Sequence, residues 1–156
     1  MKPIMKAKNF KRLVNLWPPL WFAGIKATRV TDDYREIDVT LKLRWYNKNY
    51  VGVQYGGSLF SMTDPWYMVM LMTAMGKDYY VWDKTAEIDY LKPGKTHVSA
   101  KFVLTQEKID EIKSRTAAGE KYLPEFLIDI RDENNELIAR VKRILYVKLK
   151  NKTPAP

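Results

Sequence analysis

The chain has 156 residues, 46% of them hydrophobic and 13% aromatic, which suits one packed domain and excludes a disordered polymer. With no cysteine and a single histidine, His97, it excludes disulfides, thiolate catalysis, zinc–thiolate sites and His-rich metal sites, so no metal is expected. The formal charge of +9 suits acidic partners (nucleic acid, anionic lipid or a phosphate-bearing cofactor), but the basic residues are scattered without a nucleic-acid-binding signature; a solvated basic surface is the plainer reading, and no nucleic-acid partner is expected.

In chain order, residues 8–17 place Phe10, Leu13, Val14 and Trp17 at helical spacing, and Pro18 ends that helix. Leu20-Trp21-Phe22 then packs the N-terminal piece onto the body, with a turn near Gly24. Pro18-Pro19 splits the apolar stretch 13–25, so no leader peptide is read and a cytoplasmic location is the default. From residue 25 the period becomes two. A short strand at 25–30 and a longer one at 36–45, with Ile37, Val39, Leu41, Leu43 and Trp45 alternating with polar residues, predict an antiparallel hairpin across Asp32-Asp33.

The stretch 49–75 organises the rest. A glycine-spaced loop, Asn49-x-x-Gly52-x-x-Tyr55-Gly56-Gly57, leads into a helix predicted over 57–75 that is apolar on every side. Such a helix is buried all round, and it is a poor membrane span because it carries Asp64 and Pro65, so no membrane insertion is expected. Asp64 is its only ionisable side chain before Lys77. Gly76 caps the helix end, and strands follow at 79–91 and 97–105 around a Pro93-Gly94 turn. A charged helix spans 106–118, two long strands at 126–131 and 136–149 close the domain, and the polar tail 151–156 frays. The predicted fold is α+β: a curved antiparallel sheet of five to six strands around one long helix, plus the N-terminal helix, in a single domain over 1–150.

These residues resemble the hotdog-fold thioesterases. The Asn49, Gly52, Gly56-Gly57, Leu59-Phe60 and Asp64 spacing is similar to the signature of the phenylacetate-pathway and 4-hydroxybenzoyl-CoA type. The segment 86–95, AEIDYLKPGK, resembles the strand and proline turn that follow the helix in that superfamily. With Trp82-Asp83-Lys84, the chain from about residue 9 to 149 is similar to a little-characterised hotdog family of this length. The resemblance implies hydrolysis of an acyl-CoA-like thioester, with coenzyme A as part of the substrate and no other cofactor. It implies that the Gly56 or Gly57 N–H polarises the thioester carbonyl, that Asp64 is general base or nucleophile, and that Asn49 helps hold water or substrate. It also implies a homodimer or homotetramer with the acyl group between subunits. Tyr55 stands where many relatives have histidine, and a phenol protonates a leaving thiolate poorly near neutrality.

The physics of the residues agrees with those roles. A helix N-terminus offers unpaired N–H groups suited to an oxyanion, and an aspartate among methionines and aromatics is expected to have its pKa pushed upward. Gly57 and Asp64 are on the order of 10 Å apart along a helix axis. One reacting carbon cannot touch both, so an acting Asp64 would come from a second copy across a two-fold. Plainer roles compete at each position. Asp64 followed by Pro65 also suits a helix start, Gly56-Gly57 also suits tight packing, Asn49 also suits a turn, and the methionines, Met68 among them, also suit core filling. Among substrate-binding candidates, Tyr55 could donate a hydrogen bond to a carbonyl, Ser61 beside Asp64 could orient water, Met68 could line the acyl group, and Lys92, Lys95, Arg140 and Arg143 could meet the phosphates of coenzyme A. A non-catalytic acyl-CoA-binding protein of the same fold is the main alternative.

Overall fold

The computed structural model describes residues 5–150. Two helices, α1 (Ala7–Leu16) and α2 (Pro18–Ala23), lead into strands β1 (Ile25–Val30) and β2 (Glu36–Leu41). Helices α3 (Gly56–Ser61) and α4 (Trp66–Met75) follow, then β3 (Tyr79–Tyr90) and β4 (Val98–Val103). The chain ends with α5 (Gln106–Thr116), the two-residue β5 (Lys121–Tyr122), β6 (Glu125–Asp132) and β7 (Leu137–Leu149). The sheet is antiparallel, in the order β1-β2-β4-β6-β7-β3, with β5 also pairing on β7. The six long strands match the upper expected count, and β5 adds a seventh. The expected tail lies outside the described residues. Among those residues no helix is long and apolar enough to cross a membrane.

The alternation read from the sequence is the burial pattern observed. β2 and β4 bury every second residue, with Ile37, Val39 and Leu41 against Val98, Ala100 and Phe102. Each such side chain contributes about 1.5–3 kcal/mol when fully buried. Over this face lies α4, whose Trp66, Tyr67, Met70 and Leu71 are buried. Tyr67 stacks on Phe126 with ring centroids 4.0 Å apart and meets Phe102 edge-on at 5.4 Å, contacts worth about 0.5–1.5 kcal/mol each beyond burial.

Three departures position the site. First, the expected helix 57–75 is interrupted: α3 ends at Ser61, residues 62–65 form a turn, and α4 starts at Trp66. Pro65 has no N–H for an intrahelical bond, and the buried Trp66 indole N–H bridges the interruption by donating to the Met62 carbonyl at 2.8 Å. Second, α4 is not covered on every side within one chain. Met68 and Met72 face an open cleft of about 720 Å³ that Tyr79, Tyr80 and Trp82 of β3 also line. Third, β2 ends at Leu41 rather than 45, and Trp45 is 84% exposed. The Asn47 side chain captures the Arg44 N–H at 2.7 Å and turns the chain away from the ladder, although the alternation in the sequence runs on.

The two sheet edges differ. Along β1 the Asn15 amide of α1 pairs with the backbone of Ala27, donating to its carbonyl at 3.0 Å and accepting from its N–H at 2.8 Å. That contact blocks β1 as a template for another strand. Among the described residues, the outer edge of β3 carries no such cover over its twelve residues.

Candidate functional site

Asp64 sits in the turn between α3 and α4. It does not cap α4, because Pro65 holds the cap position and no side-chain cap hydrogen bond forms. It is not enclosed by methionines either: its side chain is 52% exposed, with one carboxylate oxygen 3.3 Å from a guanidinium nitrogen of Arg143. The expected desolvation of this carboxylate is therefore not what the fold provides. The interruption of the helix turns the carboxylate outward while keeping it above the inner face of the sheet.

Arg143 is the centre of this group. It occupies an inward position of β7 in register with Val141, Leu145 and Val147, and it is buried. Its Nε donates to the Thr63 hydroxyl at 3.2 Å, its Nη1 donates to Asp83 at 3.0 Å, and the guanidinium lies 5.5 Å from the centre of the Phe60 ring. The Thr63 hydroxyl in turn donates to the Phe60 carbonyl at 2.8 Å, so both of its hydrogen-bonding roles are used. Asp83 reaches the guanidinium through a bulge in β3. It pairs with Leu145, Thr85 pairs with Ile144, and Lys84 between them has no ladder partner, a device that re-aims side chains. Burial pushes the Asp83 carboxyl's pKa up; the nearby Asp64 charge adds to the rise and Arg143 opposes it.

The glycine turn forms a second group at the other end of α3. The Gly56 and Gly57 N–H groups open that helix and donate to no protein acceptor among the described residues. Both glycines lie against tyrosine rings: a Cβ on Gly56 would lie 3.1 Å from the Tyr90 hydroxyl, and one on Gly57 would lie 2.5 Å from the exposed Tyr55 ring. The Tyr90 hydroxyl donates to the Gly56 carbonyl at 3.0 Å. Asn49 closes the loop before the turn, its side-chain oxygen accepting the N–H groups of Val51 and Val53 at 3.1 Å each. An open cleft of about 470 Å³ brings Asn49, Gly56, Tyr90 and Lys92 together. Beneath it the buried Gln54 amide donates to the carbonyls of Leu41 and Thr96, while its side-chain oxygen has no partner among the described residues.

The other expected contacts disperse. Ser61 is exposed at the end of α3, and Met68 lines the larger cleft beside α4. The Lys92 ammonium donates to Glu136, and Lys95 is exposed beyond the Pro93-Gly94 turn. Arg140 lies on the outer face of β7, where it grips Asp129 at 2.6 and 3.0 Å and holds that carboxyl's pKa below the usual range. Arg143, expected with the phosphate contacts, is instead brought to Asp64. Sequence reasoning missed Asp83, Thr63 as a partner of Arg143, Tyr90 and Gln54. The available signal was an arginine in an apolar slot of the 136–149 alternation.

A search of solved structures finds the same architecture widely. A protein of unknown function from Pseudomonas aeruginosa, described as a probable thioesterase, matches at 15% identity over 96% of this chain and 99% of its own, with a TM-score of 0.85. A thioesterase from Haemophilus influenzae matches at 16% identity over 99% and 98%, with a TM-score of 0.69. A phenylacetic acid degradation protein from Thermus thermophilus matches at 17% identity over 83% and 97%, with a TM-score of 0.58. At such identities the likeness shows the fold, which is the hotdog fold. No curated protein matches the chain. A family model does match, over residues 6–147, and the chain belongs to the family described as Domain of unknown function (DUF4442).

Proposed function

We propose that the protein is a thioester hydrolase acting on acyl-CoA-like substrates of the cytoplasm, with Asp64 assisting attack by water. The observation that carries this reading is the Asp64 carboxylate itself, exposed at an interruption of the central helix and held by the buried Arg143. Its second oxygen has no protein donor among the described residues, which leaves it available to a water molecule. In the proposed step Asp64 accepts a proton from water as the oxygen attacks the thioester carbonyl carbon. The carbonyl becomes an oxyanion facing the Gly56 and Gly57 N–H groups. Collapse expels the thiolate of coenzyme A, which takes up the proton, leaving a carboxylic acid and a free thiol.

Within one chain the glycine turn opens α3 and Asp64 lies in the turn beyond its end, so the two flank a six-residue helix about 9 Å long. Two features support a second copy that closes this gap: the open edge of β3, and the uncovered Met68 and Met72 beside it. Pairing of β3 with its own symmetry mate would satisfy that edge.

One observation favours a non-catalytic acyl-CoA-binding protein instead: the Tyr55 and Tyr90 rings occupy the space beside the two glycines, where a substrate carbonyl would approach. Assay of the purified protein against a panel of aromatic and aliphatic acyl-CoAs, with Asp64→Asn beside it, separates the two. Hydrolysis that falls about a hundredfold or more in the variant supports the proposal. Equal rates in both proteins would remove Asp64 from the mechanism, and tight binding without turnover would establish the binding reading.

A further inference from the structure

We propose that the face formed by α2 and the turn after β2 docks on the surface of an anionic phospholipid bilayer. This inference does not rest on the hydrolase reading.

The two segments are locked side by side. The buried Asn47 amide donates to the Ala23 carbonyl at the end of α2, at 3.0 Å, and to the Lys42 carbonyl at 2.8 Å. Gly24 takes φ +82° there, and a Cβ on it would lie 2.5 Å from the Asn47 amide nitrogen, so the junction admits no side chain without displacement. The lock leaves large apolar side chains in water. Phe22 is 70% exposed, in contact with Trp21 at a ring separation of 5.1 Å, and Trp45 packs edge-on to Tyr46 at 5.6 Å. Leu16 is exposed beside them, and a shallow cleft that it lines together with Trp21 and Tyr46 joins the two segments into one surface. Contiguous exposed apolar patches rimmed by polar residues mark interaction surfaces.

The charge around this face identifies the occupant. Lys26, Lys42 and Arg44 line the same cleft. Residues 1–31 contain seven lysines and arginines and no acidic residue, and residues 39–63 contain three and none. Of these, Arg29 pairs with Glu36 and Asp38 of β2, whereas Lys26, Lys42 and Arg44 on this face form no ion pair among the described residues. Tryptophan and tyrosine favour the headgroup layer of a bilayer, where the ring is sheltered and its polar atom stays wet, and lysine and arginine at that depth meet anionic headgroups. A two-fold self-contact through this face would bring two copies of the Lys26, Lys42 and Arg44 cluster into one interface without an opposing carboxylate from either segment. Single-stranded RNA would suit the rings and the charges, but Leu16 offers it no stacking surface.

Sedimentation of the full chain with phosphatidylcholine vesicles, with and without phosphatidylglycerol, tests the proposal, with tryptophan emission as a second readout. Binding is expected only when phosphatidylglycerol is present, with a blue-shifted emission and release by added salt. Phe22→Ser with Trp45→Ser, and separately Lys26→Glu with Lys42→Glu and Arg44→Glu, are each expected to weaken binding at least about tenfold. These residues are exposed, so circular dichroism and melting temperature should be unchanged. Binding that ignores both sets of substitutions would overturn the proposal, as would equal binding to neutral vesicles or none to either. Tighter binding to single-stranded RNA than to vesicles would assign the face to nucleic acid. A fall in oligomer mass in the serine variant would assign it to a second copy.

Discussion

At Arg143 the fold sets a guanidinium in a core slot and surrounds it with two carboxylates and a hydroxyl. Removing the guanidinium leaves the mostly buried Asp83 uncompensated and Asp64 screened by solvent, at a cost of about 1–3 kcal/mol. Arg143→Gln is expected to lower stability by that order in urea unfolding, while Arg143→Lys keeps the charge but loses the fork that spans Thr63 and Asp83. A cost near zero for the glutamine variant would mean that the cluster is solvated and holds nothing in place. Asp83 supplies a pH test with a definite sign. Its folded-state pKa is raised above the unfolded value, chiefly by burial, so the folded chain binds the proton more tightly. The stabilising contribution is present below the unfolded pKa and lost as pH rises through the folded one. The stability of Asp83→Asn relative to the natural chain should therefore climb with pH across that window and level off above it. A difference that stays flat from acid to neutral pH would show that Asp83 ionises without penalty.

The elements were more legible than the residues that join them. Strands of period two, the Gly76 stop and the helix opening at Gln106 follow from local chemistry, and the structure keeps them. The α5 opening is a case in point: the Thr105 hydroxyl accepts the Lys108 N–H at 3.2 Å. Thr105→Ala is expected to cost about 1 kcal/mol, seen as a melting temperature lower by about 2–4 °C. An unchanged melting temperature would mean that water replaces the cap at no cost. The misreadings arose where one pattern admits two structures. Leu43 and Trp45 continue the alternation of β2, yet Asn47 claims the Arg44 N–H for a turn, and only the long-range hold on Ala23 explains why the turn prevails. Asp64-Pro65 fits a helix start, a kink or a full interruption, and the choice depends on Trp66 bonding back to Met62. The apolar run of α4 signalled burial but not what provides it, because Met68 and Met72 line an open cleft beside β3 that one chain does not fill. Arg143 was the hardest to place: its partners lie sixty and eighty residues away, and strand periodicity carries no information on such pairings.

For the whole molecule the question is whether one chain can hold a complete site. The glycine turn and Asp64 are separated by the length of α3, whereas the open β3 edge and the cleft lined by half-buried Met68 and exposed Met72 suit a symmetric partner. In an isologous pair every contact occurs twice, so two equivalent sites would each draw a carboxylate from one chain and amide donors from the other. Light scattering should then give at least twice the chain mass of 18.3 kDa. A sharper test uses two variants that are each inactive, Asp64→Asn and Gly57→Val. The valine crowds the α3 N-terminus and displaces the exposed Tyr55 ring, which can move without disturbing the core. When the two are unfolded together and refolded, half of the dimers should be mixed. Each mixed dimer would have one site with both defects and one with none. Activity should then return to about a quarter of that of the natural protein. If mixed dimers form and activity stays absent, carboxylate and amides serve the same site from one chain, and the shared-site geometry is wrong even if Asp64 is the base.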